Sequence, residues 1–165
     1  SHRILHVSPE VGLERRLRPG HPHYLTLDLN RGDVDVQASL TELPFEDGRF
    51  DRIICSDVLE HIEEDRAAIA ELYRVLKPGG WSIITVPLRL DRPTQEDPSI
   101  RDPIERARVF GEPGHVRFYG TDFIDRIRES GFDVTLDLAE CVPADLRRRY
   151  GLRDDENIFY CRKPL

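Results

Sequence analysis

Apolar residues fall in short runs along this chain, separated by polar segments marked with proline or glycine. Ile4-Leu5-His6-Val7 reads as a first strand, broken by Ser8-Pro9-Glu10. Leu13 and Leu17 share a helical face, and Pro19-Gly20 stops the short helix they predict. Tyr24-Leu25-Thr26-Leu27 predicts a second strand that ends at Asp28. From Asp33 to Gln37 polar and apolar residues alternate, which predicts a third. Leu43 to Gly48 reads as a turn, and Asp51 to Cys55 as a fourth strand centred on Ile53 and Ile54. Between Glu63 and Leu76, Ala68, Ile69, Leu72, Val75 and Leu76 keep helical spacing and predict one buried face. Lys77-Pro78-Gly79-Gly80 ends that helix, because proline cannot continue it and glycine supplies the turn. Trp81 to Pro87 then predicts a fifth strand, apolar enough for the middle of a parallel sheet.

Residues 88–120 break the pattern. They are rich in Arg, Asp, Pro and Gly and read as an ordered insertion or lid, the usual role of so long a loop. Within them, His115-Val116-Arg117-Phe118-Tyr119 alternates. Alternation either aims His115, Arg117 and Tyr119 together at a cleft or makes an edge strand with a solvated face. Glu96-Asp97 and Asp102 read as surface charge. Thr121 is a suitable N-cap for a helix bearing Phe123, Ile124 and Ile127 and closed by Gly131. Strands at Phe132 to Leu138 and Asn157 to Cys161 follow, with a short polar helix from Ala144 to Tyr150 between them. Strands alternating with helices imply a parallel α/β sheet, which binds ligands at the carboxyl ends of its strands. That rule places the site at Val7 to Glu10, Asp28, Ser39-Leu40 and Cys55 to His61.

Composition narrows the class. With 165 residues, 39% hydrophobic and 33% charged, the chain has enough apolar mass for one globular domain spanning 1–165. A formal charge of −7 argues against nucleic acid, which selects cationic surfaces. Arg147-Arg148-Arg149, the densest basic cluster, reads as a solvated helix face. Cys55, Cys141 and Cys161 are too far apart for a zinc motif or a disulfide framework, which suits a reduced, cytoplasmic setting. Cys55 and Cys161 sit in apolar runs and are expected to be buried. No apolar run reaches transmembrane length and no secretory signal opens the chain, so no membrane association is expected. His21 and His23 lack partner ligands, so no metal is expected.

Asp28 carries the first chemical signal. An acid closing the second strand, about 20 residues after the first turn, is placed to accept bonds from both hydroxyls of a ribose. The alternative is a turn-forming aspartate in Asp28-Leu29-Asn30-Arg31-Gly32. Three further runs stand in order: Leu43-Pro44-Phe45 to Gly48-Arg49-Phe50-Asp51, Val58-Leu59-Glu60-His61, and Val75-Leu76-Lys77-Pro78-Gly79-Gly80. Together they resemble the class I, small-molecule-type S-adenosylmethionine-dependent methyltransferases over residues 3–88, with looser similarity through Gly131-Phe132. The resemblance implies a Rossmann-like, three-layer αβα fold whose seven-stranded sheet is mostly parallel with an antiparallel last strand. It implies S-adenosylmethionine as cofactor, S-adenosylhomocysteine as product, and in-line methyl transfer to a small-molecule acceptor.

The residues that the resemblance implies at the cofactor are Val7, Ser8, Pro9, Glu10, Asp28, Leu29, Ser39, Leu40, Ser56, Asp57 and Val58, with Ser39 and Leu40 against adenine. His61 and His115 are the candidate catalytic groups; for His61 the alternative is capping or packing at a helix start. The chain departs from the family in its first loop. His6 stands where the strand-end acid usually lies, Ser8 and Glu10 replace two glycines, and Gly12 remains. Glu10 either pairs with the amino group of the methionine moiety or narrows the pocket. Two other classes stay open: a non-catalytic binding module that has lost turnover through Ser8-Pro9-Glu10, and a nicotinamide-dependent oxidoreductase. The missing GxGxxG disfavours the second.

Ser1-His2 and the lack of methionine read as a tag remnant with native residues upstream. Family members often have helices before the first strand that shape the acceptor pocket. Their place here falls to upstream residues, to residues 88–120, or to a homodimeric or other partner chain.

Overall fold

The computed structural model describes residues 2–138, 142–150 and 157–165. Among the described residues, seven strands form one sheet. They are β1 (Ile4–Val7), β2 (Tyr24–Asp28), β3 (Val36–Gln37), β4 (Phe50–Ser56), β5 (Leu76–Thr85), β8 (Asp133–Leu138) and β9 (Asn157–Arg162), in the order β3-β2-β1-β4-β5-β9-β8. Neighbours from β3 to β5 pair in parallel, whereas β9 runs antiparallel to both β5 and β8. The order reverses beside β1, the switch point where such sheets bind ligands.

Helices α1 (Val11–Leu17), α2 (Asp65–Val75), α4 (Phe123–Glu129) and α5 (Ala144–Tyr150) complete the Rossmann-like α/β frame. Helix α2 forms because Ala68, Ile69, Leu72 and Val75 make one stripe, and all four are fully buried. They meet Leu5, Val7, Ile53 and Cys55 from the adjacent central strands. Burying each large aliphatic side chain there stabilises the fold by about 1.5–3 kcal/mol. All of β1 is buried, so by alternation His6 lies within the opposite face from Leu5 and Val7. Cys55 and Cys161 are buried, as expected, and desolvation pushes their thiols upward, Cys161 to about 12. Cys141 lies outside the described residues. No helix among the described residues is long and apolar enough to cross a membrane.

Several boundaries differ from expectation. The third strand shrinks to Val36–Gln37, because the Asp35 side chain instead accepts from the Thr26 amide and hydroxyl and from Arg18. Strand β5 starts at Leu76, so Lys77-Pro78-Gly79-Gly80 belongs to its first half rather than to a turn before it. The pairing slips between Phe50 and Arg52 to accommodate this bulge. Gly80 is needed there, since a Cβ would sit 2.9 Å from the carbonyl oxygens of Asp51 and Lys77. The N-cap of α4 is Asp122 rather than Thr121, and its side chain accepts from the Thr94 amide.

Residues 88–120 contain helix α3 (Pro103–Phe110) and a two-stranded ribbon of β6 (Gln95–Glu96) and β7 (Arg117–Phe118). Asp102 is not idle surface charge, because it caps α3 by accepting from the Glu105 amide. Glu96 is not idle either. It pairs with Arg117 at 3.0 Å and with Arg126 at 2.7 Å, while Arg126 also meets Asp65 at 3.1 Å. This ionic network joins the ribbon to α2 and α4.

Candidate active site

The carboxyl ends of β1, β2 and β4 open into a cleft of about 550 Å³. Its walls bring together Val7, Ser8, Asp28, Leu29, Ser39, Leu40, Asp57 and Val58, eight of the residues expected at the cofactor. A second cleft, of about 790 Å³, lies toward β5 and residues 110–118 and takes in Glu10, Ser56, Thr85, Glu112, His115 and Phe118. Asp57 and His61 line both clefts and form their boundary. Pro9 lines neither; its carbonyl accepts from Arg31 at 2.7 Å.

The first cleft is built on strained backbone. Ser8 and Asp57, which directly follow β1 and β4, both adopt left-handed conformations, with φ of 45° and 51°. Such conformations are costly for non-glycine residues and cluster at functional sites. Two bonds hold Ser8 in place: its amide donates to the Leu27 carbonyl at 2.7 Å, and its hydroxyl donates to Asp28 at 2.7 Å. The other Asp28 oxygen accepts from the amides of Asn30 and Arg31. Asp28 is therefore both turn former and cleft acid. With three acceptor sites taken of about four, it keeps room for one further donor. Burial opposes its charge, but these bonds outweigh that and hold its pKa below the ordinary range.

Glu10, from within the loop, comes back onto the histidine that stands where the family's strand-end acid lies. Buried His6 meets Glu10 at 2.8 Å through Nε2 and the Tyr24 hydroxyl through Nδ1. The His6 bond is the largest influence on Glu10 and keeps its carboxylate ionised below the usual range. Glu10 is half-exposed at the second cleft, so it still offers negative charge to a ligand.

Three polar side chains converge beyond the boundary. Glu60, His61 and His115 bring ligand atoms within 4.8 Å of one another. Their rings and carboxylate come from distant parts of the chain. Glu60 and His61 follow β4 in a 3₁₀ turn (Leu59–His61), whereas His115 comes from the insertion. The two imidazoles meet edge to face at 4.8 Å between centroids. Glu60 is 1% exposed, and desolvation, then the nearby charges of Asp57 and Glu112, push its carboxyl up to about 8.

The alternation 115–119 does not act as one polar face. His115 and Phe118 line the second cleft, but Arg117 and Tyr119 turn inward. Arg117 donates to the carbonyls of Leu59, Ile62 and Glu63, and the Tyr119 hydroxyl donates to Leu59 and to Asp65 at 2.8 Å. These bonds tie the turn bearing His61 to the insertion. Sequence reasoning missed Glu60, Glu112 and the Arg117 clamp. The adjacency Glu60-His61 was a visible signal, but nothing along the chain placed His115 beside it.

Residues 17–84 match the family model for a methyltransferase domain. The chain is 40% identical over 68 residues to a demethylmenaquinone methyltransferase from Streptomyces avermitilis, a match covering 41% of this chain and 27% of that protein. It is 33% identical over 98 residues to the ubiquinone/menaquinone biosynthesis C-methyltransferase UbiE of Coxiella burnetii, covering 53% of this chain and 38% of the relative. The chain thus spans well under half the length of these curated relatives. Its fold is similar, with a TM-score of 0.62 and 16% identity, to phosphoethanolamine N-methyltransferase 2 from Haemonchus contortus in complex with S-adenosyl-L-methionine. That likeness covers 100% of this chain and 49% of the other. Over residues 17–84 the chain is therefore similar to methyltransferase domains, and its Rossmann-like fold is shared with a solved methyltransferase.

Proposed function

We propose that this chain is an S-adenosylmethionine-dependent methyltransferase domain acting on a small-molecule acceptor. The observation that carries the reading is the pair of clefts meeting at Asp57 and His61, one sized for a nucleoside cofactor and the other open beside it. Ligand sites of this kind occupy about 300–1,000 Å³. Val7, Leu27, Ala38, Leu40 and Val58 give the first cleft an apolar wall for a flat base, and Asp28 keeps one acceptor site for a ribose hydroxyl. The residues present therefore fit the cofactor. Ionised Glu10 suits the ammonium of its methionine end.

When bound, S-adenosylmethionine supplies a methyl carbon already activated by sulfonium. The chain's own task is to hold an acceptor in line with it, and positioning of this kind lowers barriers by roughly 7–11 kcal/mol. Leu88, Phe118 and Ile158 give the second cleft apolar surface for the acceptor. An acceptor that must lose a proton meets Glu60, His61 and His115 there, and easing that loss is worth about 10²–10⁴-fold. Residues 88–120 wall the acceptor cleft through Leu88, Glu112, His115 and Phe118.

Calorimetric titration with S-adenosylmethionine and S-adenosylhomocysteine tests the reading. Saturable binding of both, weakened by Asp28→Ala, is the expected outcome. A second reading, a binding module without turnover, is favoured by the three bonds already made by Asp28. Absence of binding at millimolar ligand would move that reading to first place.

A further inference from the structure

His61 and His115 on the wall of the second cleft each have one ring nitrogen engaged by backbone. His61 Nδ1 lies 3.1 Å from the Gly114 carbonyl oxygen, and His115 Nδ1 lies 3.1 Å from that of Phe110. A carbonyl only accepts, so both Nδ1 atoms carry a proton, which leaves Nε2 of each ring as the atom able to bind a cation; that of His115 stands 3.3 Å from a Glu112 carboxylate oxygen. A backbone carbonyl on the far nitrogen is the arrangement that orients metal-ligating histidines. Close to both rings lies Glu60, whose Oε2 is buried and has no hydrogen-bond partner among the described residues. An orphaned buried carboxylate oxygen is costly and asks for a cation or donor.

We propose that Glu60, His61 and His115 form a binding site for a divalent transition-metal cation on the wall of the acceptor cleft. Two imidazoles and one carboxylate are a donor set that suits such ions and leaves coordination positions open. Ligands bonded at about 2.1 Å stand roughly 3.4 Å apart in a tetrahedral site. The ligand atoms lie within 4.8 Å of one another, and His61, which is exposed, is the ligand best able to turn toward the other two. Asp57 and Glu112 add negative charge around the cluster without being needed as ligands. The expectation that the chain binds no metal considered only neighbours in sequence, and His115 is brought to Glu60-His61 by the fold. Backbone pairing secures this approach, since the Val116 amide donates to the Glu60 carbonyl at 2.9 Å. The open positions face the acceptor cleft. On the methyltransferase reading, the acceptor class that fits is an oxygen donor such as a hydroxyl or phenol.

The test is titration of the metal-stripped full chain with Zn²⁺ and Mn²⁺, without cofactor, so that its result is independent of S-adenosylmethionine binding. One ion per chain is expected, with affinity falling at least tenfold in His61→Ala, His115→Ala and Glu60→Gln. Co²⁺ should give visible ligand-field bands that His61→Ala abolishes. Thermal unfolding of each variant establishes that it is folded, and exposed His61 provides the variant least able to disturb the core. Absence of saturable binding would overturn the proposal. So would binding left unchanged by the three variants, which would place the ion elsewhere, for example at His21 and His23.

Discussion

The Ser8 hydroxyl donates to the Asp28 carboxylate across 2.7 Å, joining the left-handed residue after β1 to the acid that closes β2. This bond uses the side chain that glycine would lack to hold a conformation that glycine would adopt freely. Ser8→Ala removes the bond and keeps the strain, whereas Ser8→Gly removes both. Ser8→Gly should therefore be the more stable variant by about 1 kcal/mol, the cost of a left-handed side-chain-bearing residue. Urea unfolding of the two proteins measures the difference. Equal stability would show that φ at this position costs nothing.

Glu10 is expected to contribute to cofactor affinity through charge. Glu10→Gln keeps a hydrogen-bonding group near His6 but removes the carboxylate, and should weaken S-adenosylmethionine binding roughly tenfold, as loss of a charge-assisted bond does. Glu10→Gly should weaken it at least as much. Tighter binding by the glycine variant would identify Glu10 as an obstacle in the loop.

Asp65 is 3% exposed and shares one oxygen between Arg126 and the Tyr119 hydroxyl. Asp65→Ala leaves buried Arg117 and Arg126 with less compensation, and should destabilise the chain by about 3–5 kcal/mol. Calorimetry should show this as a lower Tm. A shift within error would mean that Glu96 alone balances both guanidiniums.

The same network gives an acid-sensitive element. The Arg126 hydrogen bond, opposed by burial and helped by Arg117, lowers the Glu96 carboxyl from 4.5 to about 2. A depressed folded-state pKa stabilises above the unfolded value, and that contribution fades as pH falls from 4.5 toward 2. Glu96→Gln should flatten the acid limb of a stability–pH curve within this window. An unchanged limb would assign acid unfolding to other carboxylates.

Gly120 has no room for a side chain, since a Cβ would lie 2.2 Å from the Arg92 carbonyl oxygen. Gly120→Ala must therefore displace the backbone around residues 92–94, at a cost of about 1–3 kcal/mol. Limited proteolysis should cut this segment faster in the variant. An unaltered cleavage rate would show that the ribbon absorbs the methyl group.

Local pattern was enough for the elements with strong periodicity. The helix expected over 63–76 is found at Asp65–Val75, and the strand expected over 51–55 at Phe50–Ser56, because apolar stripes state which face is buried. Pattern failed where side chains or pairing competed with it. Asp35 prefers hydrogen bonds to Thr26 over extending β3, and the Leu-Lys-Pro-Gly-Gly segment pairs with β4 through a bulge although its residues read as a turn. At the site, Asp28, Ser39, Leu40, Asp57 and Val58 were legible because strand ends in a parallel sheet must meet at one edge.

The strand-helix alternation, the parallel sheet and the edge where the clefts open all follow from the spacing of apolar residues and from chain connectivity. That Glu10 answers His6, that Arg117 clamps the turn after β4, and that His115 joins Glu60 and His61 emerges from three-dimensional packing. Two of these contacts cross more than fifty residues, and the third depends on how one loop folds back. Such distances and directions are set by packing, which no local periodicity encodes.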